Sequence, residues 1–351
     1  MKNENKTFII LTPGFAASES DTVCLPMQQQ FVKTIKLLYP QLEIIIISFQ
    51  YPYFKDSYQW FGNTVKTYDG RNAGGVQRLL LRKKIYRDLK KIQEEREIIG
   101  LLSFWLGECA LVGKRFGEKH SIRHYCWISG QDARKANKYP QRVAPKPGEL
   151  IALSDFLRDE FERNHGIRPA WVIPPGFDTK LMDAAEINKD IEILSVGSLI
   201  PLKQFEVFVE AVAEIKKSLP LVKARLVGEG PERKKISDLV AQYELGPNIQ
   251  LTGELTYGEV LSLMQRSKVL LHPSSYEGFS GVCMEALAMG AHVISFCKPM
   301  EQNFEQWHVA GSKEEMKVIA IQLLLDQKTS YRQYVFYTME DTVRKMMGLY
   351  S

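Results

Sequence analysis

The stretch Leu271-His272-Pro273-Ser274-Ser275-Tyr276-Glu277-Gly278-Phe279-Ser280-Gly281-Val282-Cys283-Met284-Glu285-Ala286-Leu287-Ala288-Met289-Gly290 decides the reading of this chain. An apolar strand ends at Leu271, and Pro273, two serines and Gly278 break the pattern into a loop. From about Gly281 the pattern predicts a helix that stops at Gly290, a residue suited to the left-handed position past a helix end. Gly278, Ser280 and Gly281 let the backbone come close to a ligand. The free amides at the helix start favour an anion such as a pyrophosphate. Glu277 on the loop and Glu285 within the helix, with seven residues between them, supply two carboxylates that can accept hydrogen bonds from sugar hydroxyls and from a ribose diol. Taken alone, the same spacing also fits an ordinary strand–loop–helix with two solvated glutamates.

Outward from this stretch, short apolar runs alternate with helix-like segments. Strands are expected at Thr7–Leu11, Leu42–Ser48, Glu97–Ser103, Ile122–Ile128, Leu150–Ser154 and Ala170–Ile173. A second series follows at Ile191–Val196, Val222–Val227, Asn248–Thr252, Lys268–Leu271 and His292–Ser295. Runs such as Ile44-Ile45-Ile46-Ile47 are continuous rather than alternating, as in parallel strands buried on both faces. The expected class is therefore α/β, built from βαβ units. The length of 351 residues suits two domains. Pro174-Pro175-Gly176-Phe177-Asp178 reads as the entry to a hinge between them. The expected division is 1–178 and 179–330, two Rossmann-like doubly wound parallel-sheet domains facing a central cleft, where ligands bind beyond the carboxyl ends of the strands. Tyr331 to Tyr350 reads as a terminal amphipathic helix, with 331–351 packing back on the first domain.

Composition narrows the classes further. Apolar residues are 45% and charged residues 25%, an ordinary globular balance that excludes a disordered or fibrous chain. The five cysteines are scattered without Cys-x-x-Cys spacing, so neither a zinc site nor a disulfide framework is expected, and a reducing compartment fits. No signal peptide or bilayer-spanning run is read. Residues 1–180 carry a net charge of +9 and the remainder −4. This asymmetry suggests two domains with different partners, or simple variation in surface charge. There is no Gly-x-x-x-x-Gly-Lys-Ser/Thr loop, no Gly-x-Gly-x-x-Gly after the first strand and no Gly-x-Ser-x-Gly elbow. P-loop phosphoryl transfer, a nicotinamide enzyme and an α/β hydrolase are thereby disfavoured.

The 271–290 stretch resembles the signature of retaining glycosyltransferases of family 4, which adopt the two-Rossmann GT-B fold. Four further segments resemble that family in the same order: Val172-Ile173-Pro174-Pro175-Gly176-Phe177-Asp178; Ser195-Val196-Gly197-Ser198-Leu199-Ile200-Pro201-Leu202-Lys203; Leu226-Val227-Gly228-Glu229-Gly230-Pro231-Glu232; and Ile249-Gln250-Leu251-Thr252-Gly253. The likeness is specific over about 170–300 and looser before that. It implies transfer of a sugar from a UDP- or GDP-linked donor to a glycan or lipid-linked acceptor, with retention of anomeric configuration. It also implies a role in surface polysaccharide or glycoconjugate assembly on the cytoplasmic side of a membrane. Lys203 is expected on the donor pyrophosphate and Glu285 on the ribose. Glu277, with Phe279, Ser280, Gly281 and Val282, is expected on the transferred sugar and adjacent phosphate. Gly228, Glu229, Thr252, Gly253 and Leu255 are expected to line the base site, and Gly14 to approach the pyrophosphate from the first domain. The nucleotide sugar would be a substrate, so no cofactor is expected.

Some positions depart from the family pattern. Ser198 stands where an arginine is usual. Ser129-Gly130-Gln131-Asp132 stands where a His-Gly-x-Asp segment often supplies catalytic groups, which makes Ser129 and Asp132 the candidates there. These departures keep open a non-catalytic relative that binds a nucleotide sugar or glycan as a partner subunit. No Asp-x-Asp occurs, so metal-independent transfer is expected, with Lys203 and Glu277 in the catalytic group. His272 and His292 read as structural. Arg78 to Lys91 forms a basic amphipathic helix whose Leu81, Ile85 and Leu89 share a face. It can dock on an anionic membrane surface or pack its stripe on its own domain. No recognised module supports nucleic-acid binding. The aromatic segments 51–54 and 58–62 suit either an acceptor site or core packing.

Overall fold

A computed structural model of the chain describes residues 3–182 and 188–351. Among these, the strands are β1 (Asn3–Gly14), β2 (Glu43–Tyr51), β3 (Ser57–Trp60), β4 (Asn63–Thr67), β5 (Arg96–Phe104), β6 (His124–Ile128), β7 (Leu150–Ala152) and β8 (Trp171–Val172). They continue as β9 (Ile191–Val196), β10 (Ala224–Val227), β11 (Ile249–Gly253), β12 (Ser267–His272), β13 (His292–Ser295) and β14 (Trp307–Val309). The chain forms two compact units, residues 1–176 with 339–351, and residues 177–338.

The first unit holds a sheet in the order β3-β4-β2-β1-β5-β6-β7-β8. Every pairing is parallel except β3 with β4. Ile44, Ile45, Ile46 and Ile47 of β2 are all buried, as a strand covered on both faces requires. Full burial of each such side chain is worth roughly 1.5–3 kcal/mol. The second unit holds a parallel sheet in the order β11-β10-β9-β12-β13-β14. The Phe205–Ser218 helix packs seven buried apolar residues, Phe205 to Ile215, over it.

Three features differ from the sequence reading. The aromatic segment at 58–62 is the β3–β4 hairpin: Phe61 (φ 44°) and Gly62 (φ 72°) form its two-residue turn, and Trp60 is fully buried. The short β14 was also not expected. The terminal helix is Met339–Gly348 rather than the whole of 331–350. Residues 331–338 are largely irregular and stay with the second unit, because Phe336 stacks on Phe304 with ring centroids 4.0 Å apart and Phe177 N–H donates to Tyr337 O at 2.8 Å. The division accordingly falls at 176/177 rather than 178/179, and the return to the first unit comes at 339 rather than 331. There the terminal helix buries Met339, Val343, Met346 and Met347 and packs on the Pro26–Leu38 helix. Tyr350 donates to Leu101 O at 2.8 Å and meets Phe8 edge-on, in space that exists because position 100 is glycine: a Cβ there would sit 2.2 Å from the Tyr350 ring.

Candidate active site

In the second unit the carboxyl ends of β11, β10, β9 and β12 lie side by side, and each runs into a loop holding predicted site residues. Gly228 (φ 135°), just past β10, lies against the backbone of Gly197, just past β9; a Cβ on it would meet Gly197 O at 2.0 Å. Gly230 (φ 156°) makes the same kind of approach to Leu199 O. These glycines bring two strand-end turns into main-chain contact that no other residue permits. Gly228 N–H also donates to Gly253 O at 2.9 Å, joining the β11 end to the row. Thr252 hydroxyl donates to Gly253 O at 3.0 Å. Glu229 is exposed and pairs with Arg233 at 3.2 Å. Thr252 and Leu255 line a separate cavity of ≈ 400 Å³ with Arg225 and Glu259. Ser198 is exposed.

Lys203 ends the Pro201–Lys203 turn after β9, and Glu277 lies in the loop after β12. The two meet because Ser275 binds that turn twice: its N–H and its hydroxyl both donate to Leu202 O, at 3.0 and 3.1 Å. Lys203 Nζ then donates to Glu277 Oε1 in a close ion pair. His272, the last residue of β12, is almost wholly buried and places Nε2 3.0 Å from the same oxygen. It also lies 3.3 Å from Ser280 Oγ. Ser280 caps the Gly281–Ala288 helix, its hydroxyl accepting from Cys283 N–H at 3.4 Å. Burial alone would push the Glu277 carboxyl up, but the His272 N–H and the Lys203 cation overcome it and hold it at about 2. Burial lowers His272, so the ring is neutral at pH 7. Its role was missed in the sequence, where the only signal was a histidine five residues before Glu277 at the end of a buried strand.

Glu285 has the opposite environment. It lies within the Gly281–Ala288 helix, buried, and burial raises its carboxyl to about 7 against the hydrogen bond from Tyr257. That bond runs from Tyr257 hydroxyl to Glu285 Oε1 at 3.0 Å, from the first residue of the Tyr257–Gln265 helix. Two carboxylates on one loop–helix, one held ionised by His272 and Lys203 and one raised by burial, make this stretch the candidate site. Phe279 and Ser280 are buried, and Gly281 and Val282 half-buried, where the helix amides begin. The N–H groups at this helix start are suited to an anion.

The remaining candidates belong to the first unit. Gly14 ends β1, packed 3.5 Å (from its Cβ direction) against Tyr51. Ser129 N–H donates to Asp132 Oδ2 at 2.7 Å, so Asp132 serves as the N-terminal brace of a single helical turn. Asp132 is buried, and desolvation raises it to about 7 against the hydrogen bonds from Ser129 and Leu106. It lines a cavity of ≈ 440 Å³ with Pro13, Trp105, Glu108 and Arg134. Among the described residues, no group of three or more His, Cys, Asp or Glu side chains is placed to hold a metal ion.

Two α/β units with parallel sheets, one presenting glycine-rich strand ends and a carboxylate-bearing helix start, define the GT-B class. Residues 178–335, within the second unit, match the family model of Glycosyl transferases group 1. Among curated proteins, an uncharacterized glycosyltransferase of Methanocaldococcus jannaschii is 27% identical over 217 residues, covering 60% of this chain and 59% of its own length. The gpi3 subunit of Schizosaccharomyces pombe phosphatidylinositol N-acetylglucosaminyltransferase is 25% identical over 60% of this chain and 48% of its own length. The chain thus spans about half the length of these relatives. Among solved structures, the Anabaena protein HepE in complex with UDP and glucose superposes with a TM-score of 0.67 at 17% identity, over 97% of this chain and 94% of that one. The pneumococcal O-GlcNAc transferase GtfA in complex with UDP and GlcNAc gives 0.67 at 14%, over 99% of each.

Proposed function

We propose that the chain transfers a sugar from a nucleotide diphosphate donor to an acceptor hydroxyl. The single observation that carries this reading is the row of strand ends in the second unit, with Lys203, His272 and Glu277 at one end and the helix amides and Glu285 beside them. From β11 to β12 there are three strand spacings, about 14 Å in all. That span suits a ligand with base, diphosphate and sugar in series. The base lies toward Gly253 and Gly228, the diphosphate at Lys203 and the 279–281 amides, the ribose on Glu285 and the sugar on Glu277. Charge that builds on the departing phosphate meets Lys203 and the amides, so transfer needs no metal. The acceptor is a glycan or a lipid-linked acceptor, the configuration at the anomeric carbon is retained, and the setting is surface polysaccharide or glycoconjugate assembly. The relatives that bind UDP with glucose or GlcNAc support a UDP-linked donor. The cavity of the first unit at Asp132 and Trp105 is the candidate acceptor site.

The basic helix supports a peripheral site at the cytoplasmic face of a membrane. It spans Gly75–Glu95 and buries Ile85, Leu89 and Ile92, while Val76 and Leu80 are 72% and 58% exposed among Arg78, Lys83 and Lys84. No helix among the described residues is long and apolar enough to cross a membrane.

A thermal-shift panel of nucleotides and nucleotide sugars tests the reading. A ligand at 100 times its dissociation constant stabilises the fold by about 2.7 kcal/mol. UDP or GDP and their sugars are expected to raise the melting temperature, and Lys203→Ala and Glu285→Ala to remove the shift and about 10²–10³ of turnover. A second reading, a non-catalytic binding subunit, is favoured by the exposed Ser198 and the bracing geometry at Ser129. It predicts the thermal shift without transfer or donor hydrolysis.

A further inference from the structure

Each of the two glutamates is held by an aromatic donor from a different element. His272 comes from the end of β12, and Tyr257 from the start of the Tyr257–Gln265 helix. Nε2 of His272 faces Glu277 Oε1 at 3.0 Å and Ser280 Oγ at 3.3 Å, whereas its buried Nδ1 has no partner among the described residues. The proton therefore sits on Nε2 and is donated to Glu277. Tyr257 donates its hydroxyl to Glu285 Oε1 at 3.0 Å. Burial keeps that phenol protonated, well above the usual tyrosine range, so it remains a donor at every working pH.

We propose that His272 and Tyr257 are positioning residues with separate duties: His272 fixes the carboxylate that receives the transferred sugar, and Tyr257 fixes the carboxylate that receives the ribose. This inference rests on the donor reading above. Loose carboxylates can still meet their hydroxyls, but they must be ordered each time a ligand binds. A neutral donor behind each one supplies that order without neutralising it, whereas a second lysine would compete for the phosphates. The two duties separate experimentally, because the nucleotide diphosphate lacks the sugar. Removing His272 then harms turnover and spares nucleotide affinity, and removing the Tyr257 hydroxyl harms nucleotide affinity first.

The test uses the full chain with His272→Leu, His272→Gln and Tyr257→Phe. Affinities for UDP, GDP and 2′-deoxy-UDP are measured by calorimetry, and turnover with UDP-glucose, UDP-N-acetylglucosamine and GDP-mannose. His272→Leu is expected to lower turnover about tenfold or more, the loss of one hydrogen bond to a charged group, with nucleotide diphosphate affinity unchanged within about twofold. His272→Gln, which keeps a donor near the Nε2 position, is expected to restore most of that loss. Tyr257→Phe is expected to weaken the ribonucleotide diphosphate about tenfold and the 2′-deoxy compound much less. Equal losses in affinity and turnover for both variants, a Gln variant as damaged as the Leu variant, or a Tyr257→Phe effect that is the same on the deoxynucleotide would overturn the proposal. A readout independent of any ligand is the ¹⁵N spectrum of histidine-labelled chain, with the His272 signal assigned by its loss in His272→Gln. The Nε2–H tautomer is expected, shifting in Glu277→Gln; an Nδ1–H tautomer, or a signal indifferent to that substitution, contradicts the proposal even if the chain binds no nucleotide at all. Failure of the wild-type chain to bind any nucleotide, with the tautomer as expected, overturns the donor reading and leaves the His272–Glu277 geometry standing.

Discussion

At the scale of single residues, Glu285 sets a pH dependence with a definite sign. Burial raises its carboxyl from the ordinary glutamate range to about 7. A ribose diol binds best to the ionised form. Binding therefore releases a proton, and affinity rises as pH climbs toward and through 7. Measured between pH 6 and 8, nucleotide diphosphate affinity of the wild-type chain is expected to rise more steeply than that of Glu285→Gln, whose remaining slope belongs to the ligand's own phosphates. Identical slopes would mean that Glu285 does not meet the ribose. The same shift affects stability in the opposite direction: a carboxyl raised in the fold favours folding below the ordinary glutamate range, and that contribution is lost as pH rises through about 7. Such a residue was visible in sequence as one of a spaced pair, but the contrast between Glu277 and Glu285 was not. It depends on Tyr257, Lys203 and His272, which lie 28, 74 and 5 residues from the glutamates they touch.

At the scale of elements, the Glu108–His120 helix shows why propensity gives way to packing. Gly113 and Gly117, one turn apart, leave a notch for the His124 ring. A Cβ at 113 would sit 2.6 Å from His124 Nε2 and 2.9 Å from Leu11 Cδ1. Alanine is intrinsically better than glycine in a helix by about 1 kcal/mol, yet Gly113→Ala is expected to destabilise by about 1–3 kcal/mol through overpacking. Chemical denaturation checks it, and a gain in stability would show that the ring can move. His124 itself is half-buried with its Nε2 on Ser103 hydroxyl at 2.8 Å, and desolvation of the ring drops it to about 3, so it stays neutral. The Gly75–Glu95 helix makes a second element-scale prediction. Half-exposed Leu79 and the more exposed Leu80 and Val76 beside lysines and arginines are expected to give it affinity for anionic lipid, at about 1 kcal/mol per basic residue near the surface. Co-sedimentation with phosphatidylglycerol vesicles at low salt is expected, falling with added salt and in a Leu79→Ser, Leu80→Ser double variant. Absence of binding at low salt ends that assignment. Elements with strong periodic or continuous apolar runs were legible in sequence, as β2, β9 and β13 show. The β3–β4 hairpin was not, because Trp60 and its neighbours read equally as core or as a sugar platform, and only the left-handed Phe61-Gly62 pair betrays the turn.

At the scale of the whole molecule, two parallel-sheet units divide the chain, and the second carries the match to Glycosyl transferases group 1. The repeated strand–helix alternation and the Pro-Pro-Gly segment made this division legible to within two residues at the first crossing. The second crossing was displaced by eight residues, because the ring stack of Phe304 on Phe336 is a tertiary contact with no local pattern behind it. The residues proposed for the donor were named in sequence because they lie on loops that follow buried strands in fixed order. Ser129, Asp132 and Gly14 were named from resemblance alone, and their unit offers a cavity at Asp132 without stating its ligand. The central claim is that the loop and helix at 277–290 grip a nucleotide diphosphate sugar. It is tested most directly by a crystal structure of the chain soaked with UDP and, separately, GDP. The account predicts diphosphate density between Lys203 Nζ and the amides of 279–281, with the ribose hydroxyls on Glu285. A nucleotide bound elsewhere, or a site left empty at saturating concentration, contradicts it.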